Sequence, residues 1–252
     1  MKYETSLENR SFLIVDDEPF SRDIVRRMMA ELKPRQLDTA ESGEEALQLL
    51  MRGDAFYDCV ITDFSMAPIN GLELLKTIRT STKRISRSLP VVMLTGHTDS
   101  DLVGTAIALD AHAFLAKPVS FKLLCDRLAR VIADPGPVRP SIAYSVIPVP
   151  SSERPRTETR EGGKSMALES DFAPSKPFTP AAPAEPKRYE KQLDLSEVPP
   201  GSVLSRPFTT KTGTMLLGAD AVLTPRMLNR LRDITDLDTV VDKVWVYLEQ
   251  PS

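Results

Sequence analysis

The sequence predicts a doubly wound α/β fold with a five-stranded parallel sheet, followed by a disordered linker and a small α+β module. Between residues 1 and 133, short apolar runs alternate five times with stretches of helical periodicity. Strands that are apolar throughout are typical of parallel sheets covered by helices on both faces. Residues 134–192 instead hold eleven of the 21 prolines and little apolar pattern, so they bury too little surface to offset the entropy of ordering. Apolar sequence resumes over residues 193–252, and we expect these three ranges to be the domains.

The elements of the first range follow from its hydrophobic pattern. Its predicted strands are residues 12–15, 37–40, 59–61, 91–94 and 113–116. Helices are predicted between them, because apolar residues recur there at helical spacing. Two capping boxes, Ser42 with Glu45 and Asn70 with Glu73, mark the starts of two of these helices.

Polar side chains stand where four of the predicted strands end. Asp16 and Asp17 follow the first strand and Asp63 follows the third, while Thr95 and Lys117 follow the fourth and fifth. The carboxyl ends of parallel strands meet at one edge of the sheet, which is where such folds bind ligands. We therefore expect three carboxylates, a hydroxyl and an ammonium group to surround a common point.

This set of groups favours magnesium and phosphoryl chemistry. Adjacent carboxylates raise the free energy of the fold unless a cation neutralises them, and oxygen ligands of this kind suit Mg²⁺. A lysine on the other side would leave Asp63 between two cations and open to attack a phosphoryl donor. Thr95 would then donate a hydrogen bond to a phosphoryl oxygen, which couples phosphorylation to movement of its loop.

Short motifs in the first range match a known family in order. They are VDDEP at 15–19, ITD at 61–63, GLEL at 71–74, LTG at 94–96 and FLAKP at 114–118. Residues 10–133 therefore resemble the receiver domain of two-component response regulators, a flavodoxin-like fold. The resemblance covers about half of the chain.

The resemblance implies a role for each residue at the edge of the sheet where the carboxyl ends of the strands meet, which we call the rim. Asp63 would be the phosphoacceptor, and Lys117 would contact the phosphoryl group. The implied ligands of Mg²⁺ are Asp16, Asp17, Asp63 and the backbone carbonyl of Ser65. Thr95 and Phe114 would form the switch pair, and the bond between Lys117 and Pro118 would be cis.

Two positions depart from the family pattern. Ala67 stands where the family usually has a proline, and Pro68 comes next. Asp110 stands where the family usually has glycine before the fifth strand, and aspartate tolerates a left-handed turn. The first departure lies in the loop beside the predicted metal site.

The last 60 residues predict a small β-β-α-β unit. Thr224 and Pro225 provide an N-cap and a first-turn proline for its helix, and residues 239–248 alternate as a strand does. The unit resembles a small module found ahead of some HD-GYP phosphodiesterase domains. No histidine follows His112, which argues against a metal hydrolase here. A core this small is marginal alone, so dimerisation, including a homodimer, or docking is expected.

Composition bounds the location and the partners. The net charge of −3 and a C-terminal range without net basic charge argue against binding to nucleic acid. There is no signal-peptide pattern, and no apolar run approaches the ~20 residues that span a bilayer. Cys59 and Cys125 are predicted to be buried free thiols of a reducing compartment, so the chain is expected to be cytoplasmic without membrane contact.

The sequence thus predicts a response regulator without a separate catalytic domain. A histidine kinase or a phosphotransfer protein would phosphorylate Asp63, and the change would alter how the C-terminal module contacts a protein target that the sequence does not name. Two alternatives stay open. One is a response-regulator transcription factor that binds DNA through the module, and the other is a Mg²⁺-dependent phosphohydrolase, against which the adjacency of Asp16 and Asp17 argues.

Overall fold

The computed structural model describes most of the chain outside the Pro-rich range. The described residues are 4–52, 56–82, 84–96, 100–150, 188–211, 213, 215–235 and 243–249. No helix within these ranges combines the length and the apolar character that crossing a membrane requires.

The first half of the chain is built on a five-stranded parallel sheet with strand order β2-β1-β3-β4-β5. Its strands are β1 (Ser11–Val15), β2 (Gln36–Ala40), β3 (Cys59–Asp63), β4 (Val91–Thr95) and β5 (Ala113–Ala116). Every residue of β1, β3 and β4 is buried, as the continuous apolar runs predict. The strand order reverses between β1 and β3, and this switch point is where such sheets bind ligands. The predicted fold class is confirmed.

Helices cover both faces of this sheet. They are α1 (Glu4–Leu7), α2 (Pro19–Ala30), α3 (Gly43–Met51), α4 (Gly71–Thr80), α5 (Ser100–Ala108) and α6 (Phe121–Ala133). Residues of α1, α2 and α6 pack in one apolar cluster with one face of the sheet. Residues of α3, α4 and α5 belong to a second cluster on the opposite face.

The two predicted capping boxes differ in the structure. Asn70 and Glu73 form a complete box, with each side chain accepting from the other residue's backbone N–H. Ser42 accepts from the backbone N–H of Glu45, but the Glu45 carboxylate accepts from Glu41 instead. The helix therefore starts where predicted with only half of its box formed.

Residues 134–150 pack against the fold built on this sheet, so the prediction of disorder is wrong for this part of the linker. They include α7 (Ser141–Ser145), in which Tyr144 is fully buried. The Tyr144 hydroxyl donates to Asp110 at 2.8 Å, and Lys76 of α4 donates to the carbonyl of Ile147 at 2.7 Å. The anchoring groups lie far away in the sequence, so local composition does not reveal them.

The C-terminal module contains more strands than predicted. Its elements are β6 (Arg188–Asp194), β7 (Val203–Leu204), β8 (Phe208–Thr209), β9 (Met215–Leu217), α8 (Pro225–Thr235) and β10 (Lys243–Glu249). β10 lies between β6 and β7 in an antiparallel sheet, while β8 and β9 form a separate antiparallel pair. β6 begins inside the predicted linker, whose residues 151–187 lie outside the described residues.

The apolar interior of the module is continuous with that of the first half of the chain. Leu228, Leu231 and Ile234 of α8 are buried in the same cluster as Phe114 of β5. A shared interior of this kind compensates for the small core that the module has on its own. Docking, one of the two expectations for this range, is what the structure shows.

A buried arginine ties together several loops at the edge of the sheet opposite the acidic residues. Arg79 has no exposed surface, and its guanidinium donates to the carbonyls of Arg87, Leu89 and Asp110 at 2.7 to 3.0 Å. Nδ1 of His112 lies 3.1 Å from this guanidinium and accepts from the backbone N–H of Val91. Burial lowers the pKa of Arg79 to about 10, and burial followed by the nearby positive charge keeps the pKa of His112 well below its usual range.

Replacing Arg79 should be costly because its carbonyl partners would stay buried without donors. We expect Arg79→Ala to lower the free energy of unfolding by about 3 kcal/mol. Arg26→Ala is the control, since Arg26 is an exposed residue whose surface pair with Asp23 should contribute little to stability. Denaturant unfolding of both variants measures the difference, and equal losses would contradict this role for Arg79.

Candidate metal and phosphoacceptor site

Three carboxylates meet at the switch point of the sheet. Asp16 follows β1, and Asp63 is the last residue of the neighbouring strand β3. One oxygen from each of Asp16, Asp17 and Asp63 lies within 4.8 Å of the others. Asp16 and Asp63 are buried, whereas Asp17 is exposed, so the cluster has an open side. This set of hard oxygen donors fits Mg²⁺, which keeps several waters and takes few carboxylates.

The start of α2 holds Asp16 in place. Oδ1 of Asp16 accepts from the backbone N–H of Glu18 at 2.9 Å, and Oδ2 accepts from the Ser21 hydroxyl at 2.8 Å. Arg22 donates to the backbone carbonyl of Asp16 at 2.6 Å. Glu18 is the N-cap of the helix, because its side chain accepts from the backbone N–H of Ser21. Because Glu18 caps the helix, Asp16 and Asp17 are not needed as caps and can belong to the carboxylate cluster.

Lys117 lies between two of the carboxylates. Its Nζ is 2.7 Å from Oδ1 of Asp63 and 2.9 Å from Oδ2 of Asp16. Burial acts to lower the pKa of Lys117, but the hydrogen bonds and charges of the two aspartates outweigh it and raise that pKa. Burial raises the pKa of Asp63, and the Asp16 charge adds to this rise while Lys117 opposes it. The buried acids at this rim are thus only partly compensated by the lysine.

Thr95 and Phe114, the residues expected to form the switch pair, lie on β4 and β5. Thr95 ends β4 and is buried, and its carbonyl accepts from the backbone N–H of Lys117 at 2.9 Å. Phe114 is buried too, and its ring stacks on Phe64 with 6.4 Å between the centroids. Phe64 follows Asp63 directly, so the packing of Phe114 extends to the residue next to the acid.

Gly71 is a requirement of the site that the sequence showed only as part of a motif. Its backbone N–H donates to the carbonyl of Phe64 at 3.1 Å, at the start of α4. A Cβ at this position would lie 2.1 Å from the carbonyl oxygen of Asp63. Only glycine allows the helix to begin so close to the strand end that carries the acid.

The loop after β3 brings one further residue to Asp63. The backbone N–H of Ser65 donates to Oδ2 of Asp63 at 3.2 Å, and the implied role of its carbonyl stays a prediction. The bond between Lys117 and Pro118 is cis, as the family resemblance implies, and so is the bond between Ala67 and Pro68. The structure thus brings Asp16, Asp17, Asp63 and Lys117 together at one rim, whereas Phe114 lies two residues before the end of β5. The individual roles of the predicted site residues stay predictions.

Comparison with known proteins identifies the first half of the chain. Residues 12–129 match the family described as response regulator receiver domain. Chemotaxis protein CheY-3 of Vibrio cholerae is 31% identical over 124 residues, which cover 49% of this chain and 92% of that protein. The sensory/regulatory protein RpfC of Xanthomonas campestris is 30% identical over 129 residues, which cover 51% of this chain and 17% of that protein.

Solved structures resemble the same half. Chemotaxis protein CheY4 of Vibrio cholerae is 29% identical with a TM-score of 0.44, and the match covers 48% of this chain and 98% of that one. A response regulator receiver domain protein from Clostridium thermocellum is 27% identical with a TM-score of 0.45, and the match covers 49% of this chain and 94% of that one.

The first half of the chain is thus a receiver domain of two-component signalling. The chain belongs to the family of response regulator receiver domains. The resemblance of the C-terminal module to a known module is supported by none of these matches and stays a prediction.

The contact at Gly71 can be tested by adding one methyl group. Gly71→Ala forces the backbone of Asp63 or of α4 to shift, and we expect it to lower the free energy of unfolding by about 1 to 3 kcal/mol. Gly218→Ala is the matched control, since a Cβ there meets nothing within 4 Å, and its effect should stay within about 0.5 kcal/mol. Denaturant unfolding compares the two, and a neutral Gly71→Ala would argue against the close approach.

Proposed function

We propose that this chain accepts a phosphoryl group on Asp63 in a Mg²⁺-dependent reaction and thereby changes the interactions of its C-terminal module. The observation that carries this proposal is the position of Asp63, 2.7 Å from Lys117 and grouped with two more carboxylates. Receiver domains interact with histidine kinases or phosphotransfer proteins, so the donor is a phosphohistidine of such a partner.

The residues of the rim divide the work of phosphoryl transfer. A bound Mg²⁺ would supply positive charge to the carboxylates and to the incoming phosphoryl group. A carboxylate oxygen of Asp63 forms a bond to phosphorus while the bond from phosphorus to the donor nitrogen breaks, and its electron pair leaves with the donor. Lys117 neutralises the charge that arrives, and the Thr95 hydroxyl donates to a phosphoryl oxygen.

The chemistry that we propose is limited to gain and loss of this phosphoryl group. The adjacency of Asp16 and Asp17 does not favour the phosphohydrolase alternative. The transcription-factor alternative loses support because Arg230 of α8 is buried and paired with Asp110, and Arg232 donates to the carbonyls of Leu195 and Ser196. A protein target of the module, a homodimer and a cytoplasmic location stay predictions. Cys59 and Cys125 are buried and not joined in a disulfide, which agrees with the last of these.

Replacing the acceptor tests the central claim. We expect Asp63→Asn to abolish labelling of the chain by radiolabelled acetyl phosphate with Mg²⁺, because the amide cannot form the acyl phosphate. Asp126→Asn in α6 makes the same chemical change outside the rim and should label like the natural chain. Equal labelling of Asp63→Asn and the natural chain would refute the assignment of the acceptor.

The metal site can be tested without the acceptor. Asp17 is exposed, so Asp17→Asn should leave the fold intact while weakening Mg²⁺ binding by about tenfold or more. Isothermal titration calorimetry measures the affinity, with Glu44→Gln in α3 as an exposed control that should bind Mg²⁺ normally. Unchanged affinity in Asp17→Asn would remove this residue from the ligand set.

A further inference from the structure

The outer edge of β5 is covered by the C-terminal module. β5 is a four-residue edge strand that pairs only with β4 in the sheet. An edge strand presents unpaired backbone N–H groups. The N–H of Phe114 donates instead to Oδ2 of Asp233 in α8, at 3.4 Å in a buried position. The module thus supplies the acceptor that a sixth strand would otherwise provide.

Asp233 is held in this position by two cations of the receiver. Its carboxylate is fully buried and lies 2.6 Å from Nη2 of Arg130 and 2.9 Å from Nε of Arg127, both in α6. Burial raises the pKa of the Asp233 carboxyl, and the two arginines oppose this rise. A buried carboxylate of this kind is tolerated because it is paired.

A second ion pair of opposite polarity fixes the other end of the contact. Arg230, one helical turn before Asp233, is 3% exposed and donates to Asp110 at 2.9 Å. The receiver therefore provides a carboxylate for Arg230 of α8 and two guanidinium groups for Asp233. Such reciprocal pairing sets the register of α8 along β5, because sliding the helix would bring like charges together.

The same short strand positions the groups of the acidic rim. Phe114 stacks on Phe64 beside Asp63, and Lys117 follows β5 directly and contacts Asp63. Only two residues stand between Phe114, whose N–H donates to Asp233, and Lys117, which contacts the acceptor. A displacement of β5 at Phe114 is thus transmitted to Lys117 along a chain of covalent bonds.

We propose that Asp233 is a positioning residue for phosphoryl transfer: by completing the edge of β5 it holds Lys117 in place for Asp63. By thermodynamic linkage, a phosphoryl group on Asp63 then tightens the docking of the module, since the two events stabilise one conformation of β5. This inference rests on the proposed function and assigns the module a part in it. Preorganisation of a charged group is the physical basis.

Labelling kinetics of the full chain test the positioning role. We expect Asp233→Ala to slow Mg²⁺-dependent labelling by acetyl phosphate by about fivefold or more, with Mg²⁺ affinity unchanged because the three acids of the rim remain. Asp233→Asn keeps an acceptor for the Phe114 N–H, so its labelling rate should lie between those of Asp233→Ala and the natural chain. Asp220→Asn, an exposed change of the same chemistry in the same module, should label like the natural chain.

The outcomes separate this inference from the proposed function. If the natural chain is labelled and a folded Asp233→Ala is labelled within twofold of it at equal Mg²⁺ affinity, the positioning role is overturned while the acceptor assignment stands. If the natural chain is not labelled at all, the proposed function fails and the inference with it. Should Asp233→Ala not fold, Arg230→Gln decides, because it releases the other ion pair and should slow labelling in the same direction.

A measurement on the natural chain tests the linkage without any variant. We expect beryllofluoride with Mg²⁺, a mimic of the phosphoryl group, to slow hydrogen exchange of the backbone amides of α8 by about fivefold or more. The Asp63→Asn variant serves as the control that should show no slowing. Unchanged or faster exchange in the natural chain would overturn the claim that phosphorylation tightens docking.

Discussion

The mutual repulsion of three carboxylates at the end of two neighbouring strands is the constraint on which this structure depends. Asp16 and Asp63 are buried, so water screens their charges poorly. Lys117 bridges both of them but adds one positive charge against three acids. The remaining negative charge is of the kind that a divalent cation would neutralise, and the phosphoryl acceptance proposed for Asp63 would depend on that neutralisation.

The position of the Lys117 side chain is therefore important for the charge balance of the site. Lys117 follows β5, one of the two edge strands of the sheet, which pairs with one neighbouring strand there. α8 compensates by packing along that edge with ion pairs at Asp110 and Asp233. The module and the acidic rim are thus two ends of one structural unit, although they are far apart in the sequence.

The sequence was sufficient for the receiver fold and for the set of residues at its rim. Continuous apolar runs reveal buried strands, and topology alone brings the residues after them to one edge. It was not sufficient for residues 134–150, because their order depends on Asp110 accepting from Tyr144 across 34 positions. Docking of the module was one of two expectations, but the place where α8 docks escaped prediction for the same reason. Arg230 and Arg232 carry the same charge in the sequence, and only burial distinguishes them.

Asp110 makes side-chain contacts that the family pattern does not reveal. Its left-handed backbone is one that glycine adopts equally well, but its carboxylate accepts from Tyr144, Arg139 and Arg230. A relative with glycine at this turn could keep the sheet and the acidic rim yet would lose the carboxylate that Tyr144 and Arg139 of the folded-back segment contact. An acid at this turn, paired with a tyrosine and an arginine farther along, would therefore identify those relatives in which the segment after the last receiver helix evolved as part of the receiver.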